Sequence, residues 1–173
     1  MNSFVIKYKF VLPLSIFIFV SLGQAEDISV APVDIQAALA LKLLAFNEKL
    51  ASSENVNVYC MNSTEFAKNL KNGIGKQVGS SKLSSVVEGD GVPAEKPSVI
   101  YIGNSSKLDD ILSYSRANGV LTITGDPALI AKGVSLGIGI INDKPKVLLN
   151  LSSSKLESIT WNPAILKIAI TNY

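Results

Sequence analysis

The sequence predicts an α/β fold: a single-domain sandwich in which a mixed β-sheet is flanked by helices, with a C-terminal β-hairpin and a closing helix. Three observations predict it. Apolar, β-branched runs at residues 56–60, 98–102 and 120–124 alternate with segments of helical periodicity. The run Ser98-Val99-Ile100-Tyr101-Ile102 is nearly all apolar, as a strand covered on both faces should be. Residues 134–141 and 146–151 are two apolar runs joined by the polar turn Asn142-Asp143-Lys144-Pro145, which reads as a hairpin.

The 173-residue chain opens with a targeting segment. Lys7 and Lys9 form a positive region, residues 10–22 are apolar, and Gly23-Gln24-Ala25 places small residues at the positions a signal peptidase reads. We expect a signal peptide over residues 1–25, cleaved between Ala25 and Glu26. A membrane anchor fits less well, because the apolar run falls short of the ~20 residues a span needs and Pro13 interrupts it. Residues 26–173 then form one exported domain with no membrane span. Lys7 and Lys9 leave with the leader, so 14 Lys and Arg face 14 Asp and Glu and the mature net charge is zero. A neutral chain whose only arginine is Arg116 lacks the basic footprint of a nucleic-acid binder. A chain of about 150 residues buries roughly 70% of its unfolded surface and needs no disulfide scaffold. Cys60 is the single cysteine. It either pairs between chains, giving a homodimer, or stays a free thiol; at the end of an apolar strand we expect it buried and inert.

Taken in order, residues 34–51 carry apolar positions at helical spacing and read as one helix, with Asn47, Glu48 and Lys49 at its wet end. After the strand at 56–60, Asn62 is placed to cap a helix with Glu65 reaching back, and Phe66, Ala67 and Leu70 form its inner face. Residues 72–82 read as a surface loop and 83–88 as a strand near an edge. Leu108, Ile111, Leu112 and Ser115 give the helix at 107–117 its inner side, and Asn118-Gly119 ends it. After the strand at 120–124, Asp126 caps a short helix with Pro127 at its first position, and Gly133 closes that helix. Beyond the hairpin, residues 152–158 form a short helical piece. Asn162 and Pro163 then start the closing helix, with Ala164, Ile165, Leu166, Ile168 and Ala169 on its apolar side.

No catalytic constellation appears. The chain has no histidine, which excludes His-dependent triads and His-rich metal sites, and Cys60 alone cannot make a zinc site. Asp109-Asp110 lie near a helix start, where the helix dipole accounts for them. Gly73-Ile74-Gly75 lacks the spacing of a phosphate loop. We therefore read the protein as no enzyme and assign it no cofactor and no metal. The ligand candidates are two loops that each follow a strand and open a helix, Gly103-Asn104-Ser105-Ser106 and Thr124-Gly125-Asp126. If their strands are parallel neighbours, both loops meet at the carboxyl edge of the sheet, where open α/β folds bind ligands. Ordinary capping by Ser106 and Asp126 is the competing reading, and the one we favour. Asn150, inside an apolar run, has to hydrogen-bond if buried, and we expect it to tie down the turn that follows. Trp161, the only tryptophan, suits either an interface anchor or core packing.

The order of these landmarks resembles the YfiR-like family (DUF4154). The matching stretches are residues 56–60, 99–103, 120–126, 132–141, 146–151 and 165–169, with Gly133 before the hairpin and Asn150 where the family's hairpin asparagine falls. The chain departs from the pattern in four places. It has no Trp-Pro pair after the first helix, Lys132-Gly133 replaces a double glycine, and Leu148 and Leu149 stand where a phenylalanine is expected. The paired cysteines of some members are missing, so a disulfide switch does not transfer. The resemblance implies a periplasmic, non-enzymatic regulatory protein. Its partner would be a membrane-bound sensor, a diguanylate cyclase whose periplasmic domain it holds inactive to keep cyclic di-GMP low, or a sensor kinase. The alternative is a periplasmic small-molecule-binding module built on the two loops.

Overall fold

The computed structural model describes residues 27–103 and 106–171; the expected leader and its Ala25–Glu26 cleavage point lie outside the described residues. Strand β1 (Ser29–Val30) precedes helices α1 (Val33–Leu44) and α2 (Glu48–Ser52). The single helix expected over 34–51 is thus two. Asn47, expected at a wet helix end, is 1% exposed and caps α2 by accepting from the Leu50 N–H at 3.1 Å. The break is held by the returning C-terminal segment, since the Asn162 N–H donates to the Phe46 carbonyl (2.7 Å) and the Glu48 N–H to that of Thr160 (3.0 Å).

Strand β2 (Asn55–Met61), helix α3 (Thr64–Lys71), and strands β3 (Gln77–Val78), β4 (Ser81–Gly89) and β5 (Val99–Ile102) follow. Asn62 does not cap α3. It adopts φ +51°, Ser63 takes the position before the helix without a capping bond, and Phe66, Ala67 and Leu70 are the buried face, as expected. The expected loop at 72–82 contains β3, whose Val78 is fully buried. Helix α4 (Leu108–Asn118) ends on Gly119 at φ +61°. Strand β6 (Leu121–Thr124) leads to α5 (Pro127–Ala131), where Asp126 accepts from the Ala128 N–H at 2.9 Å.

Strands β7 (Leu136–Ile141) and β8 (Lys144–Leu149) form the expected hairpin with a tighter turn. Asn142 and Asp143 alone make it, both at positive φ, as a two-residue hairpin turn demands; Lys144 and Pro145 belong to β8. Asn150 caps α6 (Leu151–Leu156). Its Oδ1 accepts from the Ser153 N–H (2.9 Å), while its Nδ2 donates back to the Ile130 carbonyl of α5 (3.0 Å). The closing helix is replaced by a 3₁₀ segment, Pro163–Lys167, capped by Asn162, and by strand β9 (Ala169–Ile170). Only Ile165 of that segment is buried. Pairing of β9 with β8 satisfies backbone groups that would otherwise leave β8 as an open edge.

The sheet runs β3-β4-β2-β5-β6-β7-β8-β9, with β1 added beside β7. Its centre is parallel, β4-β2-β5-β6-β7, and the β3/β4, β1/β7 and β7/β8 pairs are antiparallel. Alternation along the strands builds two cores. Val58, Cys60, Val99, Tyr101, Leu121 and Ile123 meet α1 and α3 on one face, while Met61, Ile100 and Ile102 meet α4 and α5 on the other.

A buried polar contact locks the first core. The Gln36 side chain of α1 donates to the Ala31 carbonyl (2.6 Å) and accepts from the Tyr101 hydroxyl (2.6 Å). The Tyr101 ring stacks on Phe66 of α3 with centroids 3.5 Å apart and planes 11° from parallel. Gly125 lies flat against the Gln36 carboxamide, where any Cβ would overlap it.

Two outcomes follow from this packing. Gly125→Ala forces the Gln36 amide from its site and should destabilise by about 1–3 kcal/mol, read as a lower denaturant midpoint at unchanged slope. Cys60 is fully buried, and burial pushes its thiol up to about 12. Native protein should therefore resist maleimide at neutral pH and label fully once unfolded; rapid native labelling would contradict this burial.

Candidate functional site

Strands β5 and β6 are parallel neighbours, with Ile102 opposite Thr124, so the loops that follow them share the carboxyl edge of the sheet. Asn104 and Ser105 lie outside the described residues. Ser106 is exposed and does not cap α4, because Lys107 holds the capping position. Thr124 is buried; its hydroxyl donates to the Ile102 carbonyl (2.8 Å) and accepts from the Asp126 N–H (3.1 Å). Asp126 is engaged as the cap of α5. Gly125 is covered by Gln36, and Gly125 and Ser63 lie beside the Tyr101 oxygen, where they favour its ionised form. Burial nevertheless pushes the Tyr101 hydroxyl up to about 12, so it stays a neutral donor. Thr124, Gly125 and Asp126 thus make a hydrogen-bonded plug, and the Asp126 carboxylate repels an anion.

A concavity lies elsewhere. Helices α4 and α5 cover the second sheet face over β5 to β8 and reach Met61 at the end of β2, whereas Val87 of β4 stands exposed on that face. The chain crosses from β4 to β5 through residues 90–98 with no helix on the way, whereas such crossovers usually carry one. The result is a groove of about 480 Å³ between that crossing loop and the sheet. Its floor is the Tyr59 ring, which lies over Gly89, where a side chain would collide with it. The Tyr59 hydroxyl donates to the Gly91 carbonyl at 2.9 Å and pins the loop.

Apolar and polar groups divide this groove. Val87 on the sheet and Val92 on the loop are 55% and 48% exposed, and Pro93 and Pro97 complete the wall. At the other end the Asn57 amide oxygen accepts from the Ser85 hydroxyl (2.9 Å), with Glu95 and Lys96 on the lining. Outside it, the Lys71 ammonium bonds Glu88 at 2.6 Å and holds that carboxyl below its usual range. Such a surface offers shape, apolar contact and a mixed-charge lining; no nucleophile–base pair lies in it. Among the described residues no group of three His, Cys, Asp or Glu could hold a metal ion.

The sequence reading missed this groove. The visible signal was the turn-rich stretch Gly89-Asp90-Gly91-Val92-Pro93, which leaves no room for a covering helix. It also missed two buried polar side chains, Gln36 and Glu157. Gly133, at φ +111°, lies against the Arg116 guanidinium and Leu112, and Asn150 joins α5 to α6. Trp161 is half-buried and its backbone bridges to Asn47.

Comparison with known proteins places the chain. No curated protein matches it. Among solved structures, a conserved domain protein from Vibrio cholerae superposes with a TM-score of 0.57 at 14% identity, covering 83% of this chain. The match takes in 60% of that longer chain, and at this identity it speaks for the fold alone. The profile described as YfiR/HmsC-like (DUF4154) matches residues 33–170, from the start of α1 to the end of β9. With nearly the whole described fold inside that match, the chain belongs to the YfiR/HmsC-like family.

Proposed function

We propose that this protein is a periplasmic, non-enzymatic regulator that binds the periplasmic domain of a membrane-bound signalling protein, foremost a diguanylate cyclase, and represses it. Family membership supports a periplasmic regulator. The single observation that carries a contact role is the open half of the second sheet face, where Val87 and Val92 stand exposed around a groove. In this reading the membrane-bound partner supplies the link to the cytoplasm; no helix of the described residues is long and apolar enough to cross a membrane. Repression needs only differential affinity: a protein that binds the partner's inactive state more tightly shifts the balance toward it by that difference. A stable contact of this kind buries about 800 Å² on each side, so the groove is its centre and the loop and strand around it the rim.

A second reading, a small-molecule module at Asn104, Ser105, Ser106, Thr124, Gly125 and Asp126, draws support from the shared edge of β5 and β6. It ranks below the first because the polar groups of Thr124 and Asp126 already bond within the fold.

The test is genetic and quantitative. Cells lacking the protein should hold more cyclic di-GMP, and the wild-type protein, exported and beginning at Glu26, should restore the lower level. The variant V87K/V92E should be exported equally and melt within about 1–2 °C of wild type, since exposed substitutions change stability little. It should nonetheless fail to restore repression and bind the cyclase's periplasmic domain at least about tenfold more weakly, because both valines lose apolar burial. Unaltered cyclic di-GMP in the deletion strain would overturn the regulator, and full repression by the variant would move the contact off this groove.

A further inference from the structure

We infer that Glu157 and the hydroxyls around it form a proton-binding site that couples the closure of α6 onto the sheet to the acidity of the surroundings. Glu157 follows α6 and is fully buried. Its Oε1 accepts from the Thr122 hydroxyl (2.6 Å) and faces the Ser115 hydroxyl (3.2 Å). Its Oε2 accepts from the Thr122 N–H (3.0 Å) and the Ser135 hydroxyl (2.6 Å). One side chain thereby joins α4, β6, the start of β7 and the end of α6.

Among the described residues no cation pairs with it. Of the charged groups on the elements packed there, Arg116 of α4 is turned toward Gly133. Asp109 and Asp110 of α4 and Lys155 of α6 are exposed, and β6 and β7 carry none. Burial therefore outweighs the hydrogen bonds and pushes the Glu157 carboxyl above its ordinary value of 4.5.

The geometry also accommodates the proton. Ser115 Oγ lies 3.0 Å from the Leu112 carbonyl as well as 3.2 Å from Glu157. With Glu157 ionised, the Ser115 hydrogen can point to the carboxylate. With Glu157 protonated, the new O–H donates to Ser115 Oγ, whose hydrogen turns to Leu112. Thr122 and Ser135 keep their bonds in both states. The proton comes from solvent, and no other bond is made or broken.

The sign follows from linkage. A carboxyl raised in the folded state stabilises most below its unfolded value of 4.5, and that stabilisation is lost as pH rises through the folded value. Each unit of elevation corresponds to a roughly tenfold change in the folding equilibrium. Glu88 acts in the opposite sense and in another window: Lys71 lowers it, so its contribution disappears only as pH falls below 4.5.

The purified protein is melted at a series of pH values from about 8 to 4.5, beside Glu157→Gln, and the wild-type Glu157 carboxyl is titrated by carbon-13 NMR. The melting temperature of the wild type should climb as pH falls and that of the variant should lack this climb. The Glu157 signal should titrate above 4.5. Parallel curves for the two proteins, or a Glu157 carboxyl titrating at or below 4.5, would overturn the site. Should Glu157→Gln fail to fold, because its amide sets a donor against the Thr122 N–H, the wild-type titration decides alone.

Discussion

Strands β5 and β6 are buried on both faces along their whole length, and that constraint shapes the rest of the molecule. A parallel strand sealed between two layers has no water to satisfy a polar group, so each polar atom brought to it must find its partner inside the protein. Tyr101 finds Gln36, Thr124 finds the Ile102 carbonyl and the Asp126 N–H, and Thr122 finds Glu157. These pairs reach outward from the sheet to α1, to the loop before α5 and to the end of α6. The helices are therefore positioned by hydrogen bonds as well as by apolar packing, and a layer shifted by one residue would leave several buried groups unpaired at once.

The two faces are not treated alike. The first is closed across its breadth by α1, α3 and the segment around Ile165. The second is closed only where α4 and α5 lie, because the crossing from β4 to β5 is a turn-rich loop. Tyr59 over Gly89 is the local remedy: its ring shields the strand below and its hydroxyl anchors the loop at Gly91. Val87 and Val92 receive no such cover. An architecture that seals its centre and leaves one end of one face apolar and concave is suited to contact with another surface, which is why the functional reading rests on that end and not on the strand-end loops.

Much of this fold was legible in the residues, and the legible parts share a cause. The Asp126-Pro127 helix start, the Gly119 stop, the Asn142-Asp143 turn and the apolar run of β5 are local statements, decided within a few positions of chain. Asn47 was misread although Asn47-Glu48 is itself a helix-start signal, because the apolar repeat on both sides outweighed it. The strand at Ala169–Ile170 was misread as helix because its conformation is set by the free edge of β8, far away in sequence. Gln36 and Glu157 look like surface residues in any local window, and only the topology puts them inside. The groove is the extreme case: it is made by what does not cross the sheet, and nothing in β4 itself announces a missing cover.

The single cysteine narrows how such a protein could respond to its surroundings. Cys60 is buried under α3 and held as a neutral thiol, and no second cysteine exists to pair with it, so an intramolecular disulfide switch is closed to this chain. Tyr101, the other strongly raised group, is locked between Gln36, Ser63 and Gly125 and stays neutral across the ordinary pH range. Glu157 differs from both. It is the buried group whose ordinary value lies on the acid side of neutrality, its neighbours can serve it charged or neutral, and it sits at the end of α6 opposite the Asn150 cap. Chemical sensitivity in this fold accordingly falls on proton uptake at the end of α6, on the half of the second face away from the open groove.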